Sequence, residues 1–321
     1  MNTKARLVSG HVFPLKASDF KLGLKRYKRA KHSFYYLLAL VISQIVLLFP
    51  RKFALNLGVF LGDLMFFLSR KERARAVRNL SIAFGTEKSP REILDICRKC
   101  FRNLGKGLME FLQLPKLTPE NLSKLVTFDG RNNVDETLKK GKGAIILTAH
   151  LGNWELSGAS FSLCGYKSNT IVRPVKLQKL DEWVNRRREG TGLKCIGRGA
   201  SIKSALQCLK RNEVLGILAD IDTKADGVFV DFFGKPAYTP RGPVSIALKT
   251  GCDLLPGVII RQRDNTHRLI VEKPIELKIT GDTEEDVRYN TAVFTKIIES
   301  YVRKYPEQWI WIHDRWKTRD V

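Results

Sequence analysis

From residue 143 onward, short apolar runs alternate with segments of helical length and pattern. The runs that predict strands are 143–148, 169–172, 214–218, 228–230, 253–260 and 267–271. The segments that predict helices are 181–190, 201–211, 243–250 and 284–304. Strands that alternate with helices are typical of α/β proteins, in which helices cover a sheet. The sequence therefore predicts an α/β sandwich around a mixed, largely parallel sheet.

Two apolar segments precede this region. Residues 33–50 carry no charge, and residues 53–69 carry only Asp63. The first is just long enough to cross a bilayer, and the second is borderline. Nine Lys or Arg residues lie within residues 1–32, and five more lie within residues 70–78. Basic flanks are typical of apolar helices that meet an anionic cytoplasmic leaflet, so we expect N-terminal membrane-associated helices.

These patterns divide the chain into a basic N-terminal arm (1–32), a hydrophobic membrane segment or segments (33–69) and one folded domain (70–321). A single span with that domain in the cytosol would send the nine cations of the arm outward. The positive-inside rule disfavours that orientation. A hydrophobic hairpin, or two helices lying in one leaflet, keeps both basic flanks on the cytoplasmic side, and we favour these arrangements.

The formal net charge of +24 predicts an anionic partner: nucleic acid, a membrane surface, or an acidic protein or substrate. The apolar segments favour the membrane, and the basic residues lack the aromatic-interleaved pattern of a nucleic-acid-binding module. Six scattered cysteines suggest reduced thiols in the cytosol. Cys97 and Cys100 have metal-ligand spacing without a second pair, so we expect them on a helix surface and expect no metal site.

The stretch AHLGNWE, residues 149–155, carries the most chemistry. His150 follows an apolar strand and Glu155 precedes a helix-compatible segment, 156–163. Such a place suits a general base and the carboxylate that orients it. Five residues of ideal helix rotate by about 140°, so the two side chains converge only if His150 lies in the turn. Gly152 and Asn153 are turn formers, which makes this arrangement reasonable.

This stretch resembles the His-x4-Asp/Glu motif of glycerolipid acyltransferases and is most similar to the form found in the bacterial lipid A late acyltransferases. Other blocks resemble the same family, in order: Val172-Arg173-Pro174, Ala219-Asp220 with residues 227–239 (GVFVDFFGKPAYT), residues 254–257 (LLPG) and residues 306–313 (PEQWIWIH). The likeness extends over residues 71–316. It implies a glycerolipid-acyltransferase-like fold on the cytoplasmic side of the bacterial inner membrane.

The resemblance also implies transfer of a fatty acyl chain from acyl carrier protein, or from coenzyme A, to a hydroxyl group of a lipid A precursor. The hydroxyl must lose a proton as it attacks the thioester carbonyl, and a neutral imidazole suits that task. His150 would be the base, and Glu155 would fix its tautomer and stabilise the imidazolium. No cofactor is expected beyond the acyl donor, and the expected partners are acyl carrier protein, an anionic lipid or lipid A precursor, and the inner membrane.

Four further residues are candidates for substrate binding. Arg173, at a strand end, could clamp a phosphate or form a surface salt bridge. Asp220 could order the acceptor or an active-site loop, or merely cap a loop. Thr239 could meet a phosphate at the start of the following helix, or cap that helix. Gly234 would allow a tight turn after Phe232 and Phe233, which we expect to pack in the core.

Two other groups also have more than one interpretation, and for the tryptophans the two have equal weight. Trp309, Trp311 and Trp316 fit an interfacial aromatic belt or a buried C-terminal strand. Residues 186–188, three consecutive arginines, predict a solvated helix face, with docking of an acidic carrier protein as the alternative.

The motifs leave rival functions open. The family usually has Asn four residues beyond the arginine of the second block, where this chain has Leu177, and Gln after the aspartate, where it has Ile221. Because of these departures, a related acyltransferase with another lipid acceptor, such as a lysophospholipid, aminolipid or glycolipid, is an alternative. A basic nucleic-acid-binding protein and a catalytically inactive membrane scaffold are the alternatives from other classes.

Overall fold

A computed structural model describes residues 17–197, 201–223 and 225–319, with side chains from residue 33 onward except at residue 201. The chain divides into two compact units between Gln44 and Ile45. The first unit contains most of helix α1 (Ala17–Leu48). Residues 1–16 of the predicted basic arm lie outside the described part of the chain.

The second unit contains the end of α1, then three further helices, and then strands that alternate with helices. The N-terminal helices are α2 (Arg51–Leu68), α3 (Arg70–Phe84) and α4 (Pro90–Leu112). The later helices are α5 (Pro119–Leu122), α6 (Arg131–Lys139), α7 (Trp154–Leu163), α8 (Gln178–Glu189), α9 (Ser201–Lys210), α10 (Gly242–Thr250) and α11 (Thr283–Lys304). Ser89 begins α4 with a capping box, in which its side chain accepts from the Glu92 amide and Glu92 accepts from the Ser89 amide.

Seven strands form the central sheet, in the order β1 (Val126–Asp129), β9 (His267–Val271), β8 (Asp253–Arg261), β2 (Ala144–Thr148), β5 (Val214–Leu218), β3 (Ser168–Val172) and β4 (Lys194–Gly197). All neighbouring pairs are parallel except β8 with β9. Strands β6 (Gly227–Phe232) and β7 (Lys235–Pro240) form a separate antiparallel hairpin. The predicted mixed, largely parallel sheet is confirmed.

Helices cover both faces of this sheet. Ile145 and Leu147 of β2 belong to a buried cluster that includes side chains of α3, α4, α9, α10 and α11. Ala144 and Ile146 belong to a second cluster that includes side chains of α5, α6 and α7. Successive residues of a strand face opposite sides of the sheet, so a wholly apolar β2 requires two packed faces.

The structure also contains elements that the sequence patterns did not indicate, namely β1, β4, β7, α5 and α6. The two missed sheet strands have only four residues each. Strand β7 includes Pro236 and Pro240, which argue against a strand but are tolerated in a two-stranded hairpin. Cys97 and Cys100 were expected on a helix surface, but both are buried in the core, because they lie on the apolar face of α4.

Helix α2 packs closely against α4 through glycines. A β-carbon at Gly58 would lie 2.7 Å from the Gly105 carbonyl oxygen, and one at Gly62 would lie 2.5 Å from the Phe101 carbonyl oxygen. The GxxxG spacing of Gly58 and Gly62 therefore brings the two backbones together. Within the described range, no single helix is long and apolar enough to cross a bilayer. Helices α2 and α3 taken together do have the necessary length and composition, but the chain bends by 91° between them.

Candidate functional site

The candidate site lies at the edge of the sheet where β2, β5 and β3 end, here called the carboxyl edge. Strands β2 and β5 are parallel, and Thr148 pairs with Leu218 at their last residues. His150 and Asp220 each follow those paired residues by two positions. The register of the sheet therefore places these two side chains side by side, at the edge where open parallel sheets bind ligands.

His150 and Asp220 are joined by two hydrogen bonds. The Nδ1 atom of His150 lies 2.8 Å from Oδ1 of Asp220, and the His150 backbone amide donates to Oδ2 at 2.8 Å. The Asp220 side chain is 1% exposed, whereas that of His150 is 19% exposed. An ionised carboxylate only accepts hydrogen bonds, so Nδ1 carries a proton, and in the neutral form of the imidazole the free lone pair is on Nε2.

Asp220 receives a third hydrogen bond, from Trp309. The Nε1 atom of the Trp309 indole donates to Oδ2 at 2.7 Å. Burial by itself would raise the pKa of Asp220, but attraction to the imidazolium form of His150, the hydrogen bonds from His150 and the Trp309 bond hold that pKa below its usual value. Asp220 is therefore ionised at neutral pH and can stabilise a protonated imidazole beside it.

The turn between β2 and α7 holds His150 in place. Gly152 has a φ of +63°, and a β-carbon there would lie 1.9 Å from the Ile259 carbonyl oxygen, so only glycine fits. The Gly152 amide donates to the Gln308 carbonyl oxygen at 2.9 Å, and the Ile310 amide donates to the His150 carbonyl oxygen at 3.2 Å. The C-terminal segment thus fixes the backbone on both sides of Leu151.

Glu155 forms no hydrogen bond or ion pair with His150, contrary to the prediction from the sequence. Both of its carboxylate oxygens accept from Arg188 of α8, at 2.8 Å from Nε and 2.6 Å from Nη2. Asn153 caps α7 by accepting from the Leu156 amide, which makes Glu155 the second residue of the helix. There it meets a guanidinium, a partner with a permanent charge and two matched donors.

Arg173 and Gly234 occupy exposed positions. Arg173 follows the last residue of β3, so it lies at the carboxyl edge one strand beyond Asp220, and its side chain is exposed. Gly234 has a φ of +71° in the turn between β6 and β7, as the expected tight turn requires. Phe232 and Phe233 are buried, as expected.

Thr239 is buried and has its hydroxyl group committed to protein partners. Its Oγ1 accepts from Nη2 of Arg315 at 2.6 Å and donates to the Ala237 carbonyl oxygen at 3.0 Å. Arg315 is itself fully buried, and burial lowers its pKa to about 10, although Asp220 and Asp222 oppose this shift. Thr239 and Arg315 therefore join hairpin β6–β7 to the C-terminal segment that supports Asp220.

Two predictions need correction: that the tryptophans lie at a membrane interface, and that the three arginines form a solvated helix face. Trp309 and Trp311 are 0% exposed and pack against each other in the core, with ring centroids 4.6 Å apart. Their segment consists of turns with one isolated bridge to Leu151, not a regular strand. Arg187 is buried and donates to the Leu112 carbonyl oxygen, so the three arginines do not form one solvated face.

Sequence reasoning missed two features of the site. It predicted that Asp220 binds the substrate and not that Asp220 bonds to His150. The sequence did contain a signal for this bond, because each residue lies two positions after the end of its strand. It gave Trp309 no link to the site, because a bond across 89 residues has no local pattern. Among the described residues, no group of three or more His, Cys, Asp or Glu side chains could hold a metal ion.

A partly exposed imidazole that is backed by a buried carboxylate can take a proton from a hydroxyl group and later return it to a leaving group. The ring of Trp154 lies beside the imidazole, with centroids 5.1 Å apart, and limits how far the ring can swing. The arrangement can therefore perform general acid–base chemistry, with a nucleophile that the substrate itself provides.

Comparisons with known proteins identify a related family. A family model described as bacterial lipid A biosynthesis acyltransferase matches residues 24–318. The chain is 29% identical over 259 residues to the lipid A biosynthesis palmitoleoyltransferase of Escherichia coli (strain K12), which covers 79% of this chain and 81% of the relative.

Other relatives extend the comparison. The chain is 25% identical over 292 residues to the lipid A biosynthesis lauroyltransferase of Escherichia coli (strain K12), covering 90% of this chain and 94% of the relative. It is 28% identical over 158 residues to a phosphatidylinositol mannoside acyltransferase of Mycobacterium tuberculosis (strain CDC 1551 / Oshkosh), covering 47% of this chain and 50% of the relative.

Proposed function

Because the chain belongs to the bacterial lipid A biosynthesis acyltransferase family, and is therefore an acyltransferase, we propose that it transfers a fatty acyl chain from acyl carrier protein to a hydroxyl group of a lipid A precursor. The observation that carries the mechanism is the hydrogen bond between His150 Nδ1 and the buried carboxylate of Asp220. It leaves Nε2 as the basic atom of the site.

In the proposed reaction, Nε2 of His150 removes the proton from the acceptor hydroxyl as its oxygen attacks the thioester carbonyl carbon. A carbon–oxygen bond forms, and Asp220 stabilises the imidazolium that results. The tetrahedral intermediate then collapses, the carbon–sulfur bond breaks, and the imidazolium returns its proton to the departing thiolate. The acyl chain passes directly from sulfur to oxygen, so no covalent bond to the enzyme is required.

The remaining candidate residues receive roles consistent with their positions. Glu155 and Arg188 hold α7 against α8 and so support the turn that carries His150. Arg173, exposed at the carboxyl edge, is the candidate to bind a phosphate of the donor or of the acceptor. Gly234 and Thr239 support the site through hairpin β6–β7, and a direct contact with substrate is not needed for that role.

We further propose that the enzyme acts at the cytoplasmic face of the bacterial inner membrane. Apolar side chains of α2 are exposed to solvent, namely Phe53, Phe60, Leu64, Met65, Phe67 and Leu68. The net charge of +24 complements an anionic leaflet, an acidic carrier protein and a phosphorylated acceptor. Coenzyme A is the alternative donor, since it carries the same thioester.

A second candidate function is acyl transfer to a glycolipid other than lipid A. The similarity to a phosphatidylinositol mannoside acyltransferase favours it, because that relative shares 28% identity over 158 residues. Leu177, which replaces the asparagine expected four residues after Arg173, belongs to the segment in which acceptor specificity could differ.

The test is acyl transfer from radiolabelled lauroyl-acyl carrier protein to a purified lipid A precursor that lacks secondary acyl chains. His150→Ala should lower kcat by about 10²–10⁴-fold, as expected for loss of a general base. Near-native turnover by that variant would exclude His150 as the base. A wild-type enzyme that acylates a phosphatidylinositol mannoside and not the lipid A precursor would favour the second candidate.

A further inference from the structure

A buried carboxylate, Glu110, connects α4 with the active-site turn. Its oxygens accept four hydrogen bonds: from Nη1 and Nη2 of Arg261 at 2.8 and 2.7 Å, from Nη2 of Arg51 at 2.7 Å and from Nδ2 of Asn153 at 2.8 Å. These donors come from the end of β8, the first residue of α2 and the turn that follows His150. Glu110 is only 7% exposed, so nearly all of its interactions are with protein.

Asn153 links Glu110 to the catalytic turn. Its Nδ2 donates to Glu110 at 2.8 Å, and its Oδ1 accepts from the Leu156 amide at 3.1 Å. Both ends of the side-chain amide are therefore used, and its orientation is fixed. The same turn contains Gly152, whose left-handed backbone directs the chain from His150 into α7.

The charge of Glu110 makes this link strong. Burial would raise its pKa, but hydrogen bonds and charges from Arg261, with Arg51, lower the pKa to about 2. The carboxylate is thus ionised throughout the neutral range, and hydrogen bonds to an ionised acceptor are roughly twice as strong as neutral ones.

Resting on the proposed function, we propose that Glu110 is a positioning residue for acyl transfer, which acts through Asn153 to hold the His150 turn in register with Asp220. Displacement of a reacting group by about 1 Å can cost on the order of 10²-fold in rate. Loss of the hydrogen bond between Asn153 and Glu110 should therefore lower kcat and leave the binding of the acyl donor nearly unchanged.

The chain offers a matched control at the opposite edge of the sheet. Glu213, which precedes β5, accepts from Nε and Nη2 of Arg211 at 2.9 and 3.0 Å and from Nδ2 of Asn169 at 3.0 Å. It is 4% exposed and, like Glu110, accepts from an arginine and an asparagine, although it has one arginine partner where Glu110 has two. Glu213 has no contact with the catalytic turn, and it separates a structural role from a positioning role.

The experiment compares Glu110→Gln with Glu213→Gln in the lauroyl transfer assay, at a temperature at which circular dichroism shows both variants folded. We expect kcat to fall by about 10–100-fold in Glu110→Gln, with KM for the acyl donor within about threefold of wild type. We expect Glu213→Gln to keep kcat. Equal losses of kcat in both variants, or a native kcat in Glu110→Gln, would overturn the proposal.

A second variant tests the same link without disturbing the buried ion pairs. Asn153→Ser can still cap α7 but no longer reaches Glu110 as an amide donor. It should reproduce the loss of kcat, and a native kcat in Asn153→Ser also contradicts the proposal. His150→Ala keeps the two hypotheses apart: if it retains turnover, the proposed function fails, and if it alone loses turnover, only the positioning role fails.

Discussion

At the scale of single residues, the site depends on a buried charge that is fully satisfied. Asp220 accepts from the His150 ring, the His150 amide and the Trp309 indole. An isolated carboxylate with 1% exposure would carry a large desolvation cost, so these donors are a condition of its ionisation. The geometry of the candidate site and the folding of the C-terminal segment are therefore coupled through one side chain.

A buried histidine gives a prediction about stability. Burial lowers the pKa of His267 from 6.5 to about 4, and its ring lies 3.6 Å from Glu110 without a hydrogen-bond partner. As the pH falls below 6.5, His267 binds a proton in the unfolded chain but not in the folded protein. The free energy of unfolding should therefore fall between pH 6.5 and pH 4, by an amount on the order of 3 kcal/mol from this group.

Urea unfolding of the detergent-solubilised protein at several pH values measures this effect. His267→Leu should flatten the decline between pH 6.5 and pH 4 relative to wild type. Parallel declines in the two proteins would show that folding does not lower the pKa of His267.

The sequence located His150, the proposed base, but not its hydrogen-bond partner. His150, the turn and the adjacent strand and helix follow from local pattern, whereas the choice between Glu155 and Asp220 depends on what else each carboxylate meets. Glu155 meets Arg188, 33 residues away, and Asp220 meets His150, 70 residues away. Spacing along the sequence does not show which distant residue each carboxylate will meet. The register of parallel strands does reduce the number of possible partners for His150.

At the scale of elements, long buried strands and amphipathic helices were predictable, and short or proline-containing strands were not. Strands β2, β5 and β8 are nearly continuous apolar runs, since both faces are covered. Strand β4 has no fully buried residue and therefore no such pattern. Only the first strand of the hairpin β6–β7 was predicted, because Pro236 and Pro240 are not typical of a strand.

The packing of α2 on α4 gives a prediction with an internal control. A β-carbon at Gly105 would lie 2.0 Å from the Gly58 carbonyl oxygen, whereas one at Gly107 would have nothing within 4 Å. Gly105→Ala should lower the free energy of unfolding by about 1–3 kcal/mol, because the helices must separate. Gly107→Ala should raise it by about 0.5–1 kcal/mol. Chemical denaturation measures both, and equal shifts would contradict the close packing.

At the scale of the whole molecule, a strong positive charge is combined with an apolar face. Electrostatic attraction to a membrane weakens as salt screens it, but burial of apolar side chains does not. The exposed side chains of α2 therefore predict association that survives a change in ionic strength.

Extraction of membranes that contain the protein tests this expectation. The protein should remain in the pellet after a high-salt wash and should be released by detergent. Phe60→Ser combined with Phe67→Ser should increase the fraction released by salt, while Ile279→Ser, which also replaces an exposed apolar residue, should not. Release of the wild-type protein by salt alone would favour a peripheral, purely electrostatic association.

The central claim is that Asp220, and not Glu155, orients His150 as the base. The most direct test is kcat for lauroyl transfer by Asp220→Asn and Glu155→Gln, each folded at the assay temperature. We predict that Asp220→Asn lowers kcat by about 10³-fold or more, because the imidazole loses its tautomer and its counter-charge. Glu155→Gln should stay within about tenfold of wild type, since Glu155 bonds to Arg188 and not to the imidazole, and the glutamine oxygen can still accept from Arg188. A larger loss in Glu155→Gln than in Asp220→Asn would contradict the account.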